Sequence, residues 1–166
     1  MSPCSRRNKL AQMLSEQKTA GKCGSPTMKM DTGIATTMLA PCGMTCAVCY
    51  VHLKEKKPCL GCRGQDSSKP EHCRKCEIKD CASSHGVDFC FECSSFPCGT
   101  IKRLDKSYRQ RYQVSLIKNA IRIKTVGAKG HLLEEKEKWT CPHCGGVISL
   151  HDRICSECGK EMERVG

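Results

Sequence analysis

Cys141-Pro142-His143-Cys144-Gly145-Gly146 and Cys155-Ser156-Glu157-Cys158-Gly159-Lys160, with ten residues between Cys144 and Cys155, decide how this chain is read. A C-x-x-C turn brings both sulfurs to one side, and a glycine after the second cysteine lets backbone amides bend toward them. Two such turns on paired strands close a tetrahedral four-sulfur site that saturates zinc and leaves no open position. Val147, Ile148 and Leu150 can pack the hairpin between the turns. The stretch reads as a structural zinc ribbon with Cys141, Cys144, Cys155 and Cys158 as ligands. His143 and His151 are then bystanders, because four thiolates suffice.

The same spacing recurs toward the N-terminus. Cys59-Leu60-Gly61-Cys62, ten residues, then Cys73-Arg74-Lys75-Cys76 repeats the pattern and predicts a second closed site at Cys59, Cys62, Cys73 and Cys76. A rival grouping comes from a 17-residue repeat, since Cys73, Cys76 and Cys81 are spaced like Cys90, Cys93 and Cys98. Both patterns are met if Cys81, Cys90, Cys93 and Cys98 form a third site, although interleaved spacings leave the partition open. Cys42, Cys46 and Cys49 remain, and His52 stands three residues after Cys49. They suggest a Cys3His zinc site, with His72 and His85 as weaker candidates. The C-x3-C-x2-C order is also that of radical-SAM enzymes. Those need a large α/β barrel, which the downstream chain, full of other ligands, cannot build.

Seventeen of 166 residues are cysteine, and only seven are aromatic. Residues 41–98 hold few long aliphatic side chains and cannot bury enough apolar surface to offset chain entropy. Metal must supply the difference, at about 10–16 kcal/mol per structural zinc site. The chain shows no apolar run suited to a signal peptide or a membrane span. A cytoplasmic setting follows, where thiols stay reduced and paired cysteines hold metal. Three or four zinc ions are expected. The alternative is [4Fe–4S] clusters within residues 41–98, against which the proline of the bacterial ferredoxin run is missing after the last cysteine. The formal charge of +11 overstates the basic character. Fifteen thiolates on four divalent ions would lower it to about +4.

The organisation expected is a disordered tail over 1–38, a cysteine-rich metal domain over 41–98, an amphipathic helical segment over 99–139 and the ribbon over 140–166. Cys4 and Cys23 stand apart as free thiols, and a partly helical stretch over 8–17 is the one element expected in the tail. Ile101, Leu104 and Tyr108 fall on one helical face, and Leu116, Ile117, Ala120, Ile121 and Ile123 continue an apolar stripe. Gly127 should stop that helix, with a second one over His131 to Trp139. The fold class is a small, metal-stapled, irregular α+β protein: a multi-zinc domain, a helical linker and a ribbon. Arg109, Arg111 and Arg122 on the polar helix faces are candidate partner-binding residues.

Cys42-Gly43-Met44-Thr45-Cys46-Ala47-Val48-Cys49-Tyr50, then Cys59-Leu60-Gly61-Cys62-Arg63, Cys76-Glu77-Ile78-Lys79-Asp80-Cys81, Cys90-Phe91-Glu92-Cys93 and Phe96-Pro97-Cys98 resemble an uncharacterised cysteine-rich family. That family is a domain of unknown function found mainly in methanogenic archaea and anaerobic bacteria. The resemblance covers about residues 40–124, and the trailing ribbon is similar to that of the longer members. It implies a small metal-binding domain and an anaerobic host, and carries over no reaction. No Gly-rich phosphate loop, H-E-x-x-H or deaminase motif is present in the sequence. The leading expectation is a non-enzymatic zinc module that docks on a larger protein assembly, with no small-molecule substrate and no membrane span. The alternatives are a redox- or oxygen-responsive thiolate or iron–sulfur protein, and a nucleic-acid- or ribosome-binding zinc protein.

Overall fold

The structure is a computed structural model that describes residues 29–163. The expectations for Cys4, Cys23 and the helical stretch over 8–17 lie outside the described residues. Four α-helices follow one another there: α1 (Glu71–Arg74), α2 (Glu77–Ser84), α3 (Gly99–Tyr112) and α4 (Leu116–Trp139). Short 3-10 turns at Thr36–Met38, Cys46–Val48, Asp66–Ser68 and Cys90–Glu92 punctuate the cysteine-rich half. The β content among the described residues consists of isolated bridges, three of them within the C-terminal ribbon stretch and its junction with α4.

A buried carboxylate fixes the joint between α3 and α4. Asp105 is 4% exposed. It accepts from the Ser115 hydroxyl at 2.7 Å, the Ile117 amide at 3.1 Å and Arg109 Nε at 2.8 Å. Burial would push its carboxyl up, but the Ile117 amide, the Ser115 hydroxyl and the Arg109 guanidinium outweigh that and hold it below its ordinary value. Ser115 also caps α4 by accepting from the Lys118 amide at 3.1 Å. α3 ends where Gln113 takes a left-handed conformation and its amide closes on the Arg109 carbonyl. One side chain thus ties the last turn of α3 to the first turn of α4.

Leu116, Ala120 and Ile123 turn inward along the first half of α4. Gly127 leaves the helical region at φ 79°, ψ 163°, and the buried face resumes with His131, Leu132, Glu135 and Trp139. The break falls at the expected glycine, and it lets the two halves face different parts of the molecule.

Three apolar clusters result among the described residues. Val48, from the cysteine-rich half, packs with Val114, Trp139, Ile148 and Leu150. A second cluster joins Ala40, Met44, Ile78, Ile101 and Leu116, and a third joins Leu39, Ile123 and Leu132. Residues 99–139 are therefore a spine between the two cysteine-bearing parts, where the sequence suggested a linker. The Leu150 amide even bonds to the Val48 carbonyl at 2.9 Å. Residues 29–38, expected within a disordered tail, lie against the ribbon and α4. The Met30 amide donates to the Gly145 carbonyl at 3.0 Å, and Lys136 Nζ donates to the Thr32 carbonyl. Met30 and Met38 supply apolar area that composition alone undervalued, because each is covered by sequence-distant residues.

Candidate metal centres

The ribbon turns place their sulfurs by local backbone geometry. Gly145 and Gly159 adopt positive φ directly after Cys144 and Cys158, so each chain folds back over its own pair of thiols. The Cys141 and Cys158 sulfurs stand 3.8 Å apart and those of Cys144 and Cys155 stand 3.5 Å apart. A tetrahedron with metal–sulfur bonds of about 2.3 Å has sulfur–sulfur edges of about 3.8 Å. All four sulfurs lie within 4.8 Å of one another. The donor set and its edges therefore fit a thiolate-bound metal ion.

Burial opposes ionisation of Cys141, but the His143 and Cys144 amides and the Cys155 and Cys144 thiols outweigh it and pull the thiol down to about 7. Burial pushes Cys155 up to about 12, against the amides of Cys158 and Glu157. His143 and His151 are not part of this quartet.

Seven more cysteines line a second region. Cys42, Cys46, Cys49, Cys59, Cys62, Cys73 and Cys76 surround a cavity of about 190 Å³ between the cysteine-rich half and α3. The two sites expected here, Cys59/Cys62/Cys73/Cys76 and Cys42/Cys46/Cys49/His52, share this one cavity. The two sets touch: the Cys62 amide donates to the Cys46 sulfur at 3.3 Å. Among the described residues, the ribbon quartet is the group of three or more candidate ligands gathered within 4.8 Å. The seven thiols line the walls and do not close on one point.

His52 and His72 also face this cavity. His52 Nδ1 lies 2.6 Å from the Cys59 carbonyl, the kind of contact that orients an imidazole toward a ligating role through its other nitrogen. Burial, followed by the charge of neighbouring thiols, raises Cys42 well above its ordinary value. Burial likewise lifts Cys49 and Cys73, each to about 11. For Cys62 the hydrogen bond with Cys46 is the leading cause, followed by burial.

Tyr108 of α3 and His151 of the ribbon complete the cavity wall. His151 sits edge-on to Tyr112 at 4.7 Å and to Tyr50 at 4.9 Å. Tyr108 could be placed from its position on the apolar stripe of α3. His151 carried no local signal, because its neighbours come from segments far away in the sequence.

Cys81, Cys90, Cys93 and Cys98, the expected third site, line a small cavity of about 30 Å³ together with His85. The Cys81 sulfur is exposed and 3.7 Å from His85 Nδ1. Burial, then Cys98, Cys81 and Cys93, push Cys90 up to about 11. The Ile101 amide, at the start of α3, holds Cys98 below its ordinary value. Cys76, which lines the larger cavity, and Cys90, which lines the smaller one, pack against the same apolar cluster, so the two cavities lie side by side. None of the fifteen described cysteines is in a disulfide.

The three candidate partner-binding arginines are engaged within the chain. Arg109 pairs with Asp105, and Arg122 makes a two-pronged pair with Glu134. Arg111 also has an interaction partner. Among the described residues no helix is long and apolar enough to cross a membrane.

Residues 38–103 match the model of a family described as "Protein of unknown function (DUF3795)". The cysteine-rich part is thus a domain of uncharacterised function. The matched stretch holds every cysteine from Cys42 to Cys98 and stops before the ribbon. No curated protein and no solved structure matches the chain.

Proposed function

We propose that this protein is a non-enzymatic zinc–thiolate module that docks on a larger protein assembly. The metal sites shape the module, and contact is made elsewhere. The observation that supports this reading is a groove of about 480 Å³ between residues 32–36 and the second half of α4. Its floor is apolar, from Ile34, Ala35, Leu132 and Leu133, and its rim carries Lys129 and Lys136. Leu133 is 61% exposed, among the most open large apolar side chains described. An apolar floor with a cationic rim suits an acidic peptide segment that offers one apolar side chain. The candidate contact moves from the arginines to this groove, because Arg109 and Arg122 already have carboxylate partners.

Leu133→Asp combined with Lys129→Glu tests the reading. Metal content and thermal unfolding should stay close to wild type. Recovery of partners by the immobilised protein should fall at least tenfold, and more at low salt, where rim charge is least screened. Equal recovery of the same partners by the double variant would sink the docking groove.

A redox-responsive role is the second reading. It is favoured by the exposed Cys81 beside His85 within a thiol-dense cavity. Zinc thiolates oxidise to disulfides and release metal. Loss of partners on mild oxidation, with the groove variant unaffected, would put this reading first.

A further inference from the structure

α3 carries five cations and a single carboxylate, and the fold hides the carboxylate. Asp105 is buried and shared among Ser115, Ile117 and Arg109, so it projects little negative charge outward. Beyond Gly99, every exposed residue of α3 is lysine, arginine or glutamine. Lys102, Lys106 and Arg109 follow one another at i, i+4 and i+7, a stripe about 10 Å long on one side of the helix. Neither Lys102 nor Lys106 is in an ion pair among the described residues. Arg103, next to the stripe, reaches Glu77 at 3.6 Å, but the two side chains are 72% and 77% exposed. Such a pairing is worth little, and another anion can replace it. We propose that this face of α3 is a docking surface for duplex DNA, held through the phosphate backbone. It goes beyond the protein-docking groove, which lies on the second half of α4.

The face offers charge and no apolar anchor. None of the exposed large apolar side chains among the described residues lies on α3. Protein interfaces draw affinity from buried aromatic and apolar anchors and are depleted in lysine at their centre. A phosphate backbone needs only cations and hydrogen-bond donors, and duplex DNA presents one negative charge about every 1.7 Å along its axis. A single strand would need exposed aromatic rings to stack on. The rings of α3, Tyr108 and Tyr112, are instead partly buried and edge-on to each other at 5.2 Å. The B-form major groove, about 12 Å wide, admits an α-helix, whereas the A-form groove of duplex RNA is too deep and narrow.

A surface groove of about 400 Å³ adjoins the stripe, between the start of α2 and α3. Lys75, Thr100, Arg103 and Ser107 bring two cations and two hydroxyls to it, the residue types that position phosphates. Glu77 also lines it, and its partner there is the exposed Arg103.

Fluorescence anisotropy of a labelled DNA duplex, two helical turns long, with the full-length protein tests this. Affinity should fall with salt at a log–log slope of about −3 to −4, the value for four phosphate contacts. Lys102→Glu with Lys106→Glu should weaken binding by about tenfold or more and flatten that slope by about two units. Metal content and thermal unfolding should not change, since both positions are exposed. The equal charge reversal Lys118→Glu with Lys124→Glu, at exposed positions of α4, should weaken binding far less. No saturable binding at low salt, or equal losses from the two reversals, would overturn the proposal. So would a duplex RNA or a single strand of the same length bound as tightly as the DNA. Capture of an acidic peptide through Lys102 and Lys106, without DNA binding, would make the face a protein site and overturn it too. Leu133→Asp with Lys129→Glu should leave DNA binding intact, so failure of the docking groove and failure of this face are read separately.

Discussion

The ribbon quartet and the seven-thiol cavity use the same residue type in two physically different ways. In the ribbon, two short turns carry their own amides to their own sulfurs, and Gly146 N lies 3.4 Å from Cys144 Sγ. The four sulfurs come together through local geometry, braced by the Trp139 cluster behind them. In the cavity, sulfurs arrive from separate segments and share its walls with Met44, Val51, Leu104 and Tyr108. Local turn geometry can preform a site; sulfurs delivered by distant loops depend on the ions to hold the loops together.

Metal removal should expose this difference most strongly. Chelation of the reduced full-length protein should abolish amide-exchange protection over residues 41–98, with a loss of about 10–16 kcal/mol for each structural ion. Protection in α4 should fall less, because Leu116, Ala120, Ile123 and Trp139 are buried by apolar contact. Equal loss in both regions, followed by mass spectrometry, would break the distinction.

Asp105 tests the spine that joins the two regions. Asp105→Ala should cost about 3 kcal/mol, since it orphans a buried amide, a hydroxyl and a guanidinium contact at once. Folding holds this carboxyl below its ordinary value, so its contribution is complete above the ordinary carboxylate range. It is lost as the pH falls through the folded value. Asp105→Asn should therefore be less stable than wild type near neutrality, and the gap should narrow on acidification. A constant gap from neutral to acid pH, measured by denaturant titration, would remove Asp105 as the pH-dependent tie.

A pair of glycines gives the finest test. Gly43 has φ 87°, and a Cβ there would meet Ala120 N and Leu116 O, each at 2.9 Å. Both obstacles are helix backbone, so Gly43→Ala should cost about 3 kcal/mol and disturb metal in the cavity. Gly145 has φ 74° with open space around the added carbon. Gly145→Ala should cost only about 1–2 kcal/mol and leave the ribbon metal bound. Equal costs for the two substitutions would show that the first cysteine turn is not seated on α4.

Much of this architecture is legible in the order of residues alone. The C-x-x-C pairs at Cys141 and Cys155, the break at Gly127 and the inward stripe of Leu116, Ala120 and Ile123 are all local patterns. The family match over residues 38–103 spans every cysteine from Cys42 to Cys98. Spacing gives no sign of the contact between Cys46 and Cys62. Their contact spans sixteen residues and depends on how two loops pack. The same limit hides the seat of residues 29–38 and the place of His151 in the cavity wall.

What the sequence by itself determined is which thiols can be brought together by a single turn, because turn geometry is set within a few residues. It also set the expectation that the cysteine-rich half leans on metal to fold, because its own long aliphatic side chains are few. Only the tertiary structure decided which turns face each other. Val48 docks on Leu150, Gly43 fits against α4 and Tyr108 closes the cavity through shape and burial between distant segments. A spacing rule has no access to those contacts, since packing energy depends on the partner surface and not on the number of residues between two cysteines.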